Sequence, residues 1–592
     1  MSATQKTAAR DHELAKEGNS SNSDRTLFLR STAKEIVSNI ESRVWTASQV
    51  LEGFIAQAVV AQSATNCVTE VLFRDARQRA KKLDLQFEQT GKVVGPLHGV
   101  PISVKDQYDI VGYDSTVGLT RRINQPAHAN ADYVQAMMDA GAVPFVKTNV
   151  PQTMFSYECN NPVWGRTTNP YNATYTSGGS SGGEAAILAL DGAVIGLGSD
   201  IGGSLRIPAS FCGIYSFKPG AERLSPYGSA SSFPGMDGIR SSAGPMARCV
   251  EDLELACRVS FGVQQEPREI PQLAFREVTL PKKLRFGYHT SDGIVKASPA
   301  CERAVHETVK ALEREGHECV ELNMDLMPEI LNLYIQISSA DKYSNLVKAV
   351  GSDPLVICVV LFLRVQLIMN GQDTSLALMT LVPKIPRVIR NIMAWVVRTF
   401  MGDEVMSSVL RSTGARTVEE FHGSALRRNE VRKEFYRRFW EKYELDGIIT
   451  YVLASPGVVH GGTKMISIMA GNTLGYNLLN HPVGVVPVTH VDPALDALTP
   501  EWIQGPGHGS KMTEGEIYFK TTLTSNLKKP VYDATEMRGL PVGVQVVGKP
   551  WEEEKVLGMM RVVDQALGKG RGFEPGGWEA RLANRGRSEG PS

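Results

Sequence analysis

Residues 176–219, TSGGSSGGEAAILALDGAVIGLGSDIGGSLRIPASFCGIYSFKP, constrain the fold of this chain more than any other stretch. Two glycine-flanked serine loops stand there in close succession. The first, Gly178-Gly179-Ser180-Ser181-Gly182-Gly183, precedes a helical pattern over 184–190, and the second, Asp200-Ile201-Gly202-Gly203-Ser204, follows the apolar strand 193–197. Glycine lets the backbone bend sharply and turn several N–H groups toward one point, which a serine nucleophile needs around a developing oxyanion. A flexible linker has the same composition. It does not, however, sit between strand and helix inside apolar sequence and recur a few residues later. Single residues exclude two nucleotide-binding loops: Glu184 follows Gly183 where a phosphate loop needs lysine, and Gly196-Leu197-Gly198 lacks the third glycine of the dinucleotide pattern. The nucleophile elbow G-x-S-x-G is matched around both Ser180 and Ser181, but the polar residues 172–176 make a poor buried strand ahead of it. The downstream histidines, from His289 to His508, have no distinguishing context.

Residues 95–106, GPLHGVPISVKD, form a second chemical centre. Lys105 ends the apolar run 100–104, and lysine is among the residues least often buried without a partner. Taken alone it reads as a strand-end surface lysine. If it is buried, desolvation lowers its pKa and the neutral amine can act as a general base near pH 7.

Around these centres, short apolar runs bounded by glycine and proline (100–104, 143–146, 193–197) alternate with helical stretches (133–140, 184–190). That alternation predicts an α/β sheet with helices on its faces. Residues 31–83 have helical spacing, with Thr46 and Gln49 placed as a capping box. Residues 298–376 read as mostly helical and 421–443 as an amphipathic helix, and strands return at 447–453, 483–488 and 540–547. Strands at both ends with helices between predict one sheet closed by the C-terminal half, over about 26–567. Residues 1–25 are poor in apolar side chains and are expected to form a disordered tail. A long surface excursion is expected over 492–538 and a loose tail over 568–592.

Charge narrows the partners. The 63 Lys+Arg balance 63 Asp+Glu, so no broad basic face is available for nucleic acid. The eight cysteines lie scattered, without C-x-x-C pairs or neighbouring histidines, and read as reduced, mostly buried thiols rather than zinc ligands. The polar N-terminus offers no apolar secretory core or anchor, so a cytoplasmic protein is expected, not a secreted one.

Lys105 in GVPISVKD, Ser180 in GGSSGG and Ser204 in SDIGGSLRIPASFCG together resemble the amidase signature family, in residues and in spacing. TNVPQTMFSYECNNP at 148–162, NHPVGVVPVT at 480–489 and LPVGVQ at 540–545 are similar to the fatty acid amide hydrolases of that family, and GPLHGVPISVKDQ at 95–107 also resembles fungal acetamidases. The resemblance covers about 66–563. It implies a single α/β domain, a central mixed twisted sheet covered by helices on both faces. It further implies Ser204 as acyl-ester nucleophile, Ser180 on a cis Gly179–Ser180 peptide as bridging proton relay, and neutral Lys105 as general base. The N–H groups of Ile201, Gly202, Gly203 and Ser204 would form the oxyanion hole, with Met154 and Ser180 against the substrate. Ser181 is expected to satisfy backbone, and Asp200 with Arg206 to brace the nucleophile loop.

The implied reaction is hydrolysis of a carboxylic amide through an acyl-enzyme, with no metal or organic cofactor. Fatty or N-acyl amides are the expected substrates, and a small-amide or general amidase is the alternative. A third reading, a non-catalytic amidase-fold binding protein, is disfavoured by intact Lys105, Ser180 and Ser204. Tyr451 follows Thr450 where the family has proline, and the N-terminus lacks the membrane-spanning helix of the animal enzymes.

One further stretch bears on partners. At helical spacing Ile385, Val388, Ile389, Ile392, Met393, Val396 and Phe400 fall in one arc, opposite Lys384, Arg387, Arg390 and Arg398, with Pro386 suited to the first turn. A helix over 384–401 with that pattern fits a peripheral membrane contact, and equally a core-facing helix with a solvated basic face. By resemblance its position coincides with the apolar membrane cap of the fatty acid amide hydrolases. Residues 355–363 are apolar but are cut by Arg364, too short to span a bilayer. A homodimer is the other partner expected.

Overall fold

The structure, a computed structural model, describes residues 1–17, 25–232, 234–265, 270–351, 353, 381–519 and 529–585. Among them eleven strands form one mixed sheet. In chain order they are β1 (Val68–Val71), β2 (Pro101–Lys105), β3 (Val143–Thr148), β4 (Ile195–Asp200), β5 (Tyr215–Lys218), β6 (Ser242–Ala247), β7 (Arg285–His289), β8 (Glu318–Glu321), β9 (Gly447–Tyr451), β10 (Val483–His490) and β11 (Pro541–Val547). Their order across the sheet is β1-β3-β2-β4-β6-β5-β10-β11-β9-β7-β8. The C-terminal strands pair onto the middle, β10 against β5, so the chain forms a single α/β domain with helices packed on the sheet.

Three neighbouring strands carry the polar centres. β3, β2 and β4 run parallel, with Lys105 opposite Thr148 and Val104 opposite Leu197, and every residue in them is buried. Parallel strands covered on both faces read as continuous apolar runs, which is why these segments lack alternation. Polar side chains at their carboxyl ends therefore meet in one place, the usual ligand-binding edge of an α/β sheet. Helix Ala47–Thr65 starts at the expected capping box, with reciprocal bonds between Thr46 and Gln49 (3.1 and 2.9 Å).

The N-terminal reading needs correction. Residues expected to be disordered include helix Ala3–Ala15, docked by burial of Leu14 in the core and by polar contacts. Lys6 pairs with Glu70 and Asp114, both at 2.6 Å, and Arg10 reaches the Val68 carbonyl at 2.9 Å while lying over the Trp164 ring. A composition rule that counts only apolar side chains misses such anchors. Residues 18–24 lie outside the described part.

The tail expected over 568–592 is likewise anchored through 585. Phe573 stacks on His490, helix Trp578–Arg585 follows, and Arg581 donates to the Ala189 carbonyl at 2.6 Å. Within 492–538, Tyr518 and Tyr532 are buried and donate to the carbonyls of Lys296 and Asp496, so that stretch is only partly a surface excursion. The helix expected over 421–443 runs as Val418–Phe435 and continues as a π-helical turn, Tyr436–Glu441.

Helix Arg387–Met401 turns its apolar arc outward. Val388, Ile392, Trp395 and Phe400 are 56–73% exposed, while Ala394, Val397 and Arg390 face inward. The core-facing alternative therefore fails, because this helix packs on Glu404–Ser412 through its small side chains. Arg390 donates to the Ile385 carbonyl at 2.6 Å. Among the described residues no helix is long and apolar enough to cross a membrane. The apolar run 355–363, the rest of the helical reading to 376, and Cys358 lie outside the described residues. The seven described cysteines are free thiols, with Cys249 and Cys319 only partly buried.

Candidate active site

Lys105 is the last residue of β2 and is wholly buried, so the plain reading of a surface lysine is wrong. Its Nζ lies 2.8 Å from Ser180 Oγ and 2.9 Å from Ser199 Oγ. Burial pushes its pKa down to about 7, against the opposing pull of Asp200, Cys159 and Glu184. Near neutrality the amine therefore exists in both forms, and the neutral form has a lone pair to use.

The serine loop that meets it depends on close backbone approach. A Cβ on Gly183 would lie 2.3 Å from the Asn149 nitrogen, so no larger residue fits there. The Gly179–Ser180 peptide is cis, as the resemblance implied. Ser181 donates its N–H to the Ser204 carbonyl at 3.2 Å, which ties the two loops together, and its hydroxyl donates to the Ser199 carbonyl at 3.3 Å. Exposure ranks the three polar groups: Lys105 0%, Ser180 2%, Ser204 9%. Ser204 is thus the most exposed of the three.

Ser204 sits just beyond the end of β4. Gly203 has φ 126°, which an L side chain rarely adopts, so the chain turns there immediately before Ser204. Of the four N–H groups expected in the oxyanion hole, that of Gly203 is taken by Asp200 Oδ1 at 2.7 Å. The N–H groups of Ile201, Gly202 and Ser204 bond to no acceptor among the described residues and remain for a ligand oxygen.

The Asp200–Arg206 pair brackets the loop, fully buried at 2.9 Å. Arg206 also donates to Gln545 Oε1, the Thr473 carbonyl and Asn477 Oδ1, and Asn477 Nδ2 returns a bond to Asp200 at 2.9 Å. Burial would raise the Asp200 carboxyl, but the Arg206 charge and hydrogen bonds hold it well below the usual carboxylate range. A buried pair with every partner satisfied rigidifies what it holds.

Met154 ends a short turn, Gln152–Met154, and packs against Val117, Leu119 and Val350. Both Thr153 and Met154 have positive φ, 66° and 62°. The backbone just after this turn, at Ser156 and Tyr157, abuts Gly179 of the serine loop. Tyr451, the departure from the family pattern, is buried in β9.

Sequence reasoning missed three residues here. Ser199 bonds Lys105 directly, and Gln107 accepts from Ser199 at 2.6 Å. Glu184, used only to reject a phosphate loop, lies buried where Ser103 and Thr148 donate to it. Burial pushes its carboxyl up to about 7 despite those bonds, so its negative charge on the Lys105 environment is relieved near neutrality. The available signal was position: each is polar and adjoins a strand end or glycine loop. No histidine bonds to Ser180, Ser181 or Ser204 among the described residues, which removes the nucleophile-elbow reading.

Comparison with known proteins bears on this geometry. The family model described as "Amidase" matches residues 49–557. The chain is 32% identical to "Fatty-acid amide hydrolase 1" of Sus scrofa, over 93% of this chain and 88% of that one. It is 29% identical to "Acetamidase" of Emericella nidulans, over 91% and 90% of the two chains. A solved structure titled "Fatty acid amide hydrolase" superposes with a TM-score of 0.75 at 23% identity, covering 96% of this chain and 91% of the other.

Proposed function

The chain belongs to the amidase family and hydrolyses amides, and from that premise we propose a Ser204–Ser180–Lys105 relay acting on fatty or N-acyl amides. The observation that supports the relay most is the bond from a fully buried, easily neutralised Lys105 amine to Ser180, in the loop tied to Ser204. Ser204 Oγ attacks the amide carbon while its proton passes to Ser180, whose own proton passes to Lys105. The oxyanion receives the N–H groups of Ile201, Gly202 and Ser204. Collapse of the tetrahedral intermediate breaks the C–N bond, and the proton returns through Ser180 to the departing amine. Water then attacks the Ser204 ester by the same relay, releasing a carboxylic acid. Asp200 and Arg206 hold the loop, Ser181 holds backbone, and Met154 borders the acyl group.

Apolar surface supports the choice of a lipid-like acyl chain. The outward arc of Arg387–Met401 faces solvent, and its helix connects inward through Glu404–Ser412 and Met327–Ser338 to Tyr334, which donates to the Ile201 carbonyl at 3.0 Å. The similarity to a fatty-acid amide hydrolase points the same way, and the similarity to an acetamidase supports the small-amide alternative. Hydrolysis of a primary amide series from acetamide to long chains is expected to give kcat/KM rising with length, each buried CH₂ adding up to about 0.8 kcal/mol. A maximum at acetamide would establish the alternative.

The same arc is the proposed contact with a lipid surface. Trp395 and Phe400 pack edge to face on it, and the exposed Arg387 and Arg398 on the same helix are ion-paired with Glu420 and Glu404. Co-sedimentation with phosphatidylcholine–phosphatidylserine vesicles is expected, and Trp395→Glu with Phe400→Glu should abolish it while leaving acetamide or hexanamide turnover intact. A concentration-dependent dimer that ignores vesicles and is broken by the same substitutions would assign the arc to a second copy of the chain instead.

A further inference from the structure

Lys105 makes two hydrogen bonds, and only one of them leads toward Ser204. The other opens a chain of polar groups: Lys105 Nζ to Ser199 Oγ (2.9 Å), Ser199 Oγ to Gln107 Oε1 (2.6 Å), and Gln107 Nε2 to Ser229 Oγ (2.5 Å). Gln107 is itself held. It is buried, and its backbone carbonyl accepts the N–H of Ala230, the residue next to Ser229, at 2.8 Å.

Donor and acceptor capacity gives this chain a direction. A carboxamide oxygen only accepts, so the Ser199 proton is committed to Gln107. Ser199 then offers Lys105 nothing but lone pairs and must receive an N–H from it. A neutral amine has two N–H groups and one lone pair, and with one N–H directed at Ser199 the nitrogen can turn its lone pair to Ser180. A Ser199 hydroxyl free to rotate could instead donate to that lone pair, and Lys105 could then take no proton from Ser180.

We propose that Gln107 is a positioning residue that holds the Ser199 hydroxyl as an acceptor and thereby aims the Lys105 lone pair at Ser180. The proposal rests on the relay put forward above. The titratable groups facing Lys105 are Asp200 from β4, Glu184 from helix Gly182–Ala189, and Cys159 from the loop before Ser180. Substitution at Gln107 leaves all three in place.

The test compares Gln107→Leu and Gln107→Glu with wild type across pH 5.5–9.5 (about the range that brackets a lysine near neutrality). Two readouts are used, kcat/KM for one amide and the rate of Ser204 modification by an alkyl fluorophosphonate. In Gln107→Leu the freed Ser199 hydroxyl donates to the amine and stabilises its neutral form. The plateau should fall about tenfold and the acid limb should move about half a pH unit lower. In Gln107→Glu the carboxylate still accepts the Ser199 proton, while its charge favours the ammonium form. The plateau should stay within about threefold and the limb should move higher.

Opposite shifts from two substitutions at one buried position are not what lost packing produces. A Gln107→Leu limb at the wild-type pH, whatever its plateau, would overturn the proposal, as would shifts in one direction for both variants. Wild-type enzyme modified at another serine, or lacking an acid limb, would instead refute the relay itself and this inference with it.

Discussion

Ser204→Ala is expected to lower kcat/KM by at least about 10⁴-fold, since removing a nucleophile eliminates the covalent path and leaves only binding and oxyanion stabilisation. Intact-mass measurement during turnover of an N-acyl amide should find an acyl adduct on wild type and none on the variant. The prediction is specific among neighbouring serines. Ser181 spends its hydroxyl on the Ser199 carbonyl and its N–H on the Ser204 carbonyl, so Ser181→Ala should retain activity within about tenfold of wild type. Ser180 is 2% exposed beside Lys105, while Ser204 lies 9% exposed at the end of the series. An adduct mapped by peptide sequencing to Ser181 or Ser180 would overturn the assignment, however large the loss in Ser204→Ala.

Lys105→Ala is expected to lose about 10²- to 10⁴-fold in kcat/KM at pH 7, the usual contribution of a positioned general base. The sign of the pH effect follows from which form works. Burial brings Lys105 down to about 7, the neutral amine accepts the proton, and the ammonium form cannot. Wild-type kcat/KM should therefore climb as pH rises through about 7 and level off above it. Without the lysine that limb disappears, and the residual rate should rise with hydroxide, recovering part of the deficit above about pH 9. Glu184, raised to about 7, titrates in the same interval, so the observed midpoint belongs to a coupled set of groups and the Lys105→Ala profile isolates the lysine. Rates near wild type at pH 7 would exclude Lys105 as the base.

Much of the site is legible in the sequence because its elements are local. Glycine patterns mark where a backbone must turn tightly, and Gly183 and Gly203 occupy positions where a Cβ would collide or φ is positive. Apolar runs that end in polar residues mark the carboxyl ends of buried parallel strands: Lys105 in β2, Lys147-Thr148 in β3 and Ser199-Asp200 in β4. What was not legible depends on partners far along the chain. Ser199 and Gln107 are 92 positions apart, and no property of either residue announces that they meet across Lys105. Helix Ala3–Ala15 has the composition of a disordered tail because its polar anchors, Glu70 and Asp114, belong to other segments.

The surface helix divides along the same line. Its periodicity was plain from Ile385 to Phe400, but a helical stripe has no sign: the same spacing suits a face turned inward or outward. Packing of Ala394 and Val397 on Glu404–Ser412 decided that the large side chains face out.

The sequence by itself determined the two serine loops and the strand-end lysine, which follow from covalent order and local backbone preference, and its resemblance to the amidase signature family singled out Ser204, Ser180 and Lys105 as candidates. Only the tertiary structure decided that Lys105 is buried enough to lose its proton near neutrality, that Gly203 gives its N–H to Asp200, and that Gln107 reaches Ser199. The physical reason is that local conformation depends on neighbouring residues, whereas desolvation and hydrogen-bond partnership depend on everything the fold packs around a group.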